Sequence, residues 1–211
     1  LRTRLESDPR PAVLVGYSMG GRVALHFALR YSHLLKGLVL IGANPGIREE
    51  RLRQERCAWE QELCDRLQQD GVEEFLRYWQ SLPIIATQAR IPEPIWTAMR
   101  ERRNSCDAHG LVQSIRCMGT GSMKPMWNEL SRIECPVLYC AGEEDAKYRK
   151  IGESVVAGLR RGTLAVLPGA GHAAQLSCSF RICRSLATAP SGVEGGAERN
   201  RIACAACLMR A

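Results

Sequence analysis

The pentapeptide Gly16-Tyr17-Ser18-Met19-Gly20 stands directly behind the apolar run Ala12-Val13-Leu14-Val15. Behind it, Arg22 to Arg30 contains no helix breaker and repeats apolar residues at helical spacing. Strand, sharp turn and helix in that order are the surroundings a nucleophile elbow requires. A serine at the tip of such a turn is held in a strained backbone conformation, and glycines two residues to either side leave room for the bend. Ser18 is therefore the candidate nucleophile, at a helix N-terminus whose amides can stabilise negative charge.

A serine hydroxyl is too weak an acid to react unaided; it needs a base within hydrogen-bond reach and an acid to orient that base. Two later strand-like runs can supply them. Pro136-Val137-Leu138-Tyr139-Cys140-Ala141 leads into the turn Gly142-Glu143-Glu144-Asp145, and Thr163-Leu164-Ala165-Val166-Leu167 leads into the loop Pro168-Gly169-Ala170-Gly171-His172. Asp145 is read as the acid and His172 as the base, with Glu143 and Glu144 as alternative acids. His26, His33 and His109 are read as surface or packing residues. The order Ser, Asp, His is that of the α/β-hydrolase fold, a mainly parallel sheet with its ligand at the carboxyl ends of the strands.

At 211 residues and 45% hydrophobic, the chain can bury one core. No run approaches the roughly 18 to 20 apolar residues needed to span a bilayer, and Leu1-Arg2-Thr3-Arg4 leads into Glu6 and Asp8 without a hydrophobic signal region. A soluble protein with its ten cysteines reduced is expected, the spacing Cys204-Ala205-Ala206-Cys207 being accidental. The net charge of +7 is not accompanied by a nucleic-acid motif or by aromatics interleaved with the arginines, so an anionic small molecule is the expected partner. Leu38-Val39-Leu40-Ile41 reads as a further strand, and from about 48 to 130 the pattern is helical, as in a lid inserted between strands. Residues 1–176 are expected to form a partial α/β-hydrolase domain, its C-terminal portion, with the N-terminal strands and the loop bearing a second oxyanion amide missing. Residues 177–211 are expected to be an atypical tail, broken by Ala189-Pro190-Ser191-Gly192 and Gly195-Gly196.

Six further segments narrow the reading: Asn44-Pro45-Gly46, the arginine-rich helix behind it, Trp79-Gln80-Ser81-Leu82-Pro83, Met118-Gly119-Thr120-Gly121-Ser122, Gly142 to Tyr148, and Gly171-His172. With the elbow, they make the chain resemble the 2-succinyl-6-hydroxy-2,4-cyclohexadiene-1-carboxylate synthase family of menaquinone and phylloquinone biosynthesis, from about Val13 to Gln175. The resemblance implies a lyase of the cytoplasm, or of the plastid stroma in a photosynthetic eukaryote. It removes a proton from a cyclohexene carboxylate and expels pyruvate, with the triad serine as base and neither metal nor organic cofactor. It implies that Met19 and Tyr17 flank the serine at the oxyanion hole and that Arg22, Arg56, Trp79, Arg103 and Lys147 lie at the substrate. Arginines suit a polycarboxylate, because a planar guanidinium holds a carboxylate by two parallel hydrogen bonds. Arg22, four residues after Ser18, lies one helical turn along.

Two other readings share the same residues. A serine esterase or carbon–carbon bond hydrolase would use the elbow for acyl transfer, and a non-catalytic α/β module would only bind a partner. The arginines favour the lyase, since an apolar ester would leave their charges buried and unpaired.

Overall fold

A largely apolar run has to be covered on both faces, and β2 (Leu35–Ile41), apolar but for Lys36, and β3 (Val137–Gly142) are almost wholly buried. They are the middle of a parallel sheet. The protein is described by a computed structural model over residues 1–7, 12–177 and 202–204. β1 (Ala12–Tyr17) pairs with β2, β2 with β3, and β3 with β4 (Gly162–Leu167), all in parallel, so that Leu14 faces Leu38 and Tyr139 faces Leu164. A short fifth strand, β5 (Ile202–Cys204), lies parallel to β1 at Val13–Val15, giving the order β4-β3-β2-β1-β5.

The period of two along each strand divides the core. Leu14, Leu38, Leu40 and Tyr139 point to one face and pack on Ala24, Leu25 and Ala28 of α2 (Met19–Tyr31), with Val155 of α7 (Ala146–Gly158). Val39, Ile41, Leu138 and Cys140 point to the other face, against Leu167, Ala170 and Ala174.

Between β2 and β3 the chain makes a helical insertion: α3 (Glu50–Ser81), α4 (Pro83–Ala86), α5 (Ile95–Asn104) and α6 (Ala108–Met118). The last of these starts at Asp107, whose side chain accepts the Gly110 amide. A kink at Gly71, φ 79°, turns α3 back on itself. Its Leu63, Cys64, Leu67, Phe75 and Leu76 close with Val112 of α6 into a core of their own.

Two boundaries differ from the sequence reading. β1 runs on through Gly16 and Tyr17, because β2 offers Leu40 and Ile41 as partners there. Within the tail, three residues too few to show a pattern become β5 because the edge of β1 supplies the hydrogen bonds. Residues 178–201 and 205–211, with Cys207 of the C-x-x-C spacing, lie outside the described residues.

Burial pushes the Cys140 thiol up to about 12. At pH 8 iodoacetamide should therefore modify the exposed Cys57, Cys106 and Cys117 in the native protein and spare Cys140 until the chain is unfolded. The unfolded thiol ionises near 9.0 and the folded one does not, so this contribution to stability is complete below pH 9 and is lost as pH rises toward 12. Peptide mass spectrometry reads the first effect, and urea midpoints between pH 8 and 10.5 read the second. Native-state alkylation of Cys140 would contradict the packing described.

Candidate active site

Ser18 lies between the last residue of β1 and the first of α2, at φ 49° and ψ −112°. It is the one non-glycine residue with positive φ among the described residues. That strain, of order 1–3 kcal/mol for such a conformation, is held from both sides. The Ser18 amide donates to the Ile41 carbonyl at 2.8 Å, while the Gly21 and Arg22 amides donate to the Ser18 carbonyl. α2 lies so close to β1 that a Cβ on Gly16 would sit 2.6 Å from the Gly20 carbonyl oxygen, and one on Gly21 would sit 2.5 Å from the Cβ of Ala43. Met19 is the first residue of α2, and the first amides of a helix have no intrahelical acceptor.

Ser18, His172 and Asp145 meet at the C-terminal edge of the sheet. His172 Nε2 is 3.1 Å from Ser18 Oγ, and His172 Nδ1 is 2.7 Å from Asp145 Oδ2. Asp145 caps α7, its Oδ1 accepting the Tyr148 amide at 3.2 Å, which leaves Oδ2 for the imidazole. With the carboxylate ionised, Nδ1 carries the ring proton and the Nε2 lone pair faces the serine. Asp145 is 9% exposed and His172 4%. The imidazole is flanked by the rings of Tyr148 at 4.6 Å and Tyr17 at 5.3 Å between centroids. Burial raises the pKa of both tyrosines, keeping them neutral. Chemically, this arrangement can draw the proton from Ser18 Oγ and hold it on a buried imidazolium.

The alternative acids are engaged elsewhere. Glu143 accepts the Gly169 amide at 2.9 Å, and Glu144 is paired with Arg90.

Around this point lie four cationic side chains from different parts of the chain. Arg22, 8% exposed, donates through one terminal nitrogen to Thr120 Oγ1 at 2.9 Å, while its buried Nε has no partner. Burial lowers its pKa; Tyr148 and Glu60 act in the opposite direction and Arg56 in the same one. Arg103 donates from its second terminal nitrogen to Gln88 Oε1 at 2.7 Å, and its first terminal nitrogen is buried without a partner. Burial lowers the Arg103 pKa as well, with Tyr17 opposing. Arg56 reaches Glu60 by its Nε edge, 2.7 Å, and lies 4.3 Å over the Trp59 ring. Lys147 is exposed, with its ammonium 5.9 Å from the Tyr148 ring centroid and its pKa lowered by desolvation and by Arg56. Trp79 packs within the helical insertion against Phe75 and Trp59, so its described ring contacts are to the neighbours that carry Arg56 rather than to the triad.

Sequence reasoning passed over Gln88, Glu60 and Thr120 as individual residues. Gln88, 2% exposed, donates to Tyr17 Oη at 3.3 Å while accepting from Arg103, and so ties the serine's neighbour to the insertion. Nothing in the segment Thr87-Gln88-Ala89-Arg90 marks it; its burial follows from what folds over it. Among the described residues no three His, Cys, Asp or Glu side chains group so as to hold a metal ion. No helix there is long and apolar enough to cross a membrane.

A sheet of this topology with a strained serine at the β1–α2 turn is the pattern of one superfamily, and the family model described as Alpha/beta hydrolase family matches residues 1–182. The chain belongs to that family. Within it, the chain is 37% identical over 159 residues to a Bacillus subtilis (strain 168) protein assigned as a 2-succinyl-6-hydroxy-2,4-cyclohexadiene-1-carboxylate synthase; the match takes in 75% of this chain and 58% of that one. It is 28% identical over 179 residues to the synthase of that name from Klebsiella pneumoniae (strain 342), covering 82% of this chain and 68% of the relative. Among solved structures, MenH from S. aureus superposes with a TM-score of 0.83 at 30% identity, over 88% of this chain and 70% of that one. The chain thus spans under two thirds of the length of the Bacillus relative.

A fluorophosphonate, which bonds phosphorus to an activated serine oxygen and loses fluoride, should label Ser18. His172→Ala should slow labelling by roughly 10² or more, the scale of a lost general base. Glu143→Gln and Glu144→Gln should leave the rate unchanged, since each carboxylate is occupied away from the imidazole. A rate that falls with Glu144→Gln as far as with Asp145→Asn would reassign the acid.

Proposed function

We propose that the chain carries the site of a lyase that eliminates pyruvate from a succinyl-enolpyruvyl-hydroxycyclohexene carboxylate. The product is 2-succinyl-6-hydroxy-2,4-cyclohexadiene-1-carboxylate, in quinone biosynthesis. One observation carries this reading: Arg22 is buried and Arg103 half-buried, and each keeps one buried nitrogen without a partner. A buried donor left unmade costs about 1–3 kcal/mol, more for a charged group. Anionic oxygens arriving with a substrate would answer both, and a substrate bearing several carboxylates supplies them. A neutral ester would not. The names of the relatives agree with this choice of substrate class.

The chemistry then needs only groups described above. Ser18 Oγ gives its proton to His172 Nε2 and takes the proton from the acidic ring carbon. The C–H electron pair becomes a ring double bond, and the carbon–oxygen bond to the enolpyruvyl group breaks, its electrons leaving on that oxygen as the enolate of pyruvate, which takes up the proton held on His172 to give enolpyruvate, and this tautomerises to pyruvate. Asp145 holds the imidazole with Nε2 toward the serine and stabilises the imidazolium while it lasts. Met19 N–H faces the oxygen that carries charge. Ahead of β1 the described residues comprise only α1 (Arg2–Glu6), so the second amide that an upstream loop contributes in this fold is not among them; one such donor is worth about 10² to 10³ in rate. Arg22, Arg103 and the free edge of Arg56 hold carboxylates, and Lys147 adds positive potential at the rim. A cytoplasmic or stromal setting goes with this reading.

Pyruvate release, followed with a coupled dehydrogenase, tests it. Ser18→Ala should lower turnover by roughly 10² to 10⁴, and no covalent Ser18 adduct should accumulate with the substrate. Arg22→Ala should cost about 1.5 to 3 kcal/mol of transition-state binding, with an affinity in the parent protein that weakens as salt rises. A protein that cleaves neutral esters efficiently, is indifferent to Arg22→Ala and releases no pyruvate is a serine hydrolase instead.

A further inference from the structure

Glu60 is the one acidic residue among the buried polar groups of the helical insertion, 6% exposed in the middle of α3. A carboxylate survives such burial only if its lone pairs are met by strong donors. Here they are met three times. Oε1 accepts the Thr120 amide at 2.8 Å and Arg56 Nε at 2.7 Å, and Oε2 accepts the Gly121 amide at 3.2 Å. The fit is close enough that a Cβ on Gly119 would overlap Oε2. A single carboxylate therefore joins α3 to the loop that follows α6.

That loop in turn holds Arg22, because Thr120 Oγ1 is the acceptor for its guanidinium at 2.9 Å. Arg22 and Arg56 come from residues far apart in the chain, on α2 and α3; Arg56 acts on Arg22 as a like charge, and Glu60 acts on it in the opposite sense. Two guanidiniums set side by side to grip an anion repel when the anion is absent. A buried negative charge behind them, bonded to one directly and to the other through a threonine, is what lets them keep that arrangement. It takes only the Nε edge of Arg56 and touches Arg22 through Thr120 alone, so it leaves donors on both.

We infer that Glu60 is a positioning residue that holds Arg22 and Arg56 as a preformed carboxylate clamp, acting on Arg56 directly and on Arg22 through Thr120. The inference rests on the polycarboxylate reading above and adds to it the group that sets the clamp's geometry.

The test separates the clamp from the triad. Fluorophosphonate labelling of Ser18, followed by mass spectrometry, reports folding and the triad without needing a substrate. Slowing of that labelling by propane-1,2,3-tricarboxylate reports the clamp, with the trimethyl ester as the neutral control. In the parent protein the tricarboxylate should protect and the ester should not. Glu60→Gln should raise the half-protecting concentration by about tenfold or more, the scale of a charge-assisted hydrogen bond lost, and should affect labelling without competitor much less. Thr120→Val keeps the amide for Glu60 and removes only the oxygen that Arg22 uses, so it should raise the half-protecting concentration even if Glu60→Gln does not fold. A merely structural Glu60 would lower thermal stability and the labelled fraction while leaving the half-protecting concentration of the folded protein where it was. That result, or an unchanged value for Thr120→Val, overturns the inference. Absence of protection in the parent protein defeats the polycarboxylate reading itself and takes this inference with it, and it is recognisable because it appears before any substitution is made.

Discussion

Parallel pairing of β1 with β2, β2 with β3 and β3 with β4 sends the C-terminal ends of all four strands to one edge of the sheet. Every connection that begins there can contribute to a common site, whatever its distance in sequence. Ser18 follows β1, the helical insertion follows β2, Asp145 follows β3 and His172 follows β4. The sheet also holds the serine in its strained conformation, because the Ser18 amide continues the β1–β2 hydrogen bonding onto Ile41 while α2 is packed too closely on β1 to relax. Loss of that pairing would release the strain and separate the triad in one event.

Above that edge the molecule buries several charges that it could fold without. Asp145, Arg22 and Glu60 have little contact with water, and replacing buried ionic groups by apolar ones of similar size is often neutral or stabilising. Their partners show what the cost supports. Asp145 divides its oxygens between a helix cap and an imidazole, and Glu60 divides its own between two backbone amides and an arginine. In each case one carboxylate holds a cation or a proton carrier at a fixed angle. Among the described residues the buried side-chain nitrogens and oxygens without a partner are Arg22 Nε, Arg103 Nη1, Arg149 Nε and Gln175 Oε1; the first two belong to the cations around the triad, where an anionic ligand would be bound most strongly.

The helical insertion has its own core, separate from the two faces of the sheet. Trp79 and Phe75 stack within it, Trp59 lies beside them, and Arg56 rests on Trp59. Packing of this small core therefore fixes where one end of the clamp lies. Gln88 fixes the other side, bridging Arg103 to Tyr17 across the triad. The insertion is tied to the sheet at these polar points as well as by apolar contact, which couples its placement to the ionic network.

What the amino-acid sequence determined by itself was local: which runs are strands, because they are apolar throughout; where α2 begins, because glycines surround Ser18; and the order of nucleophile, acid and base, because each follows a strand that must end at the same edge. From these the α/β fold was legible, as were Ser18, His172 and an acid in the turn after β3, read as Asp145 with Glu143 and Glu144 as alternatives. What the alternatives do was not legible: the turn after β3 aims Asp145 inward and leaves the two glutamates to Gly169 and Arg90. Tertiary structure alone likewise assigned Arg22 to Thr120, 98 residues on, Gln88 to Tyr17, 71 residues back, and Glu60 to the amide of Thr120, 60 residues on. Such pairs leave no periodic trace in a sequence, since a buried polar side chain is specified by the one partner it meets and not by the pattern of its neighbours.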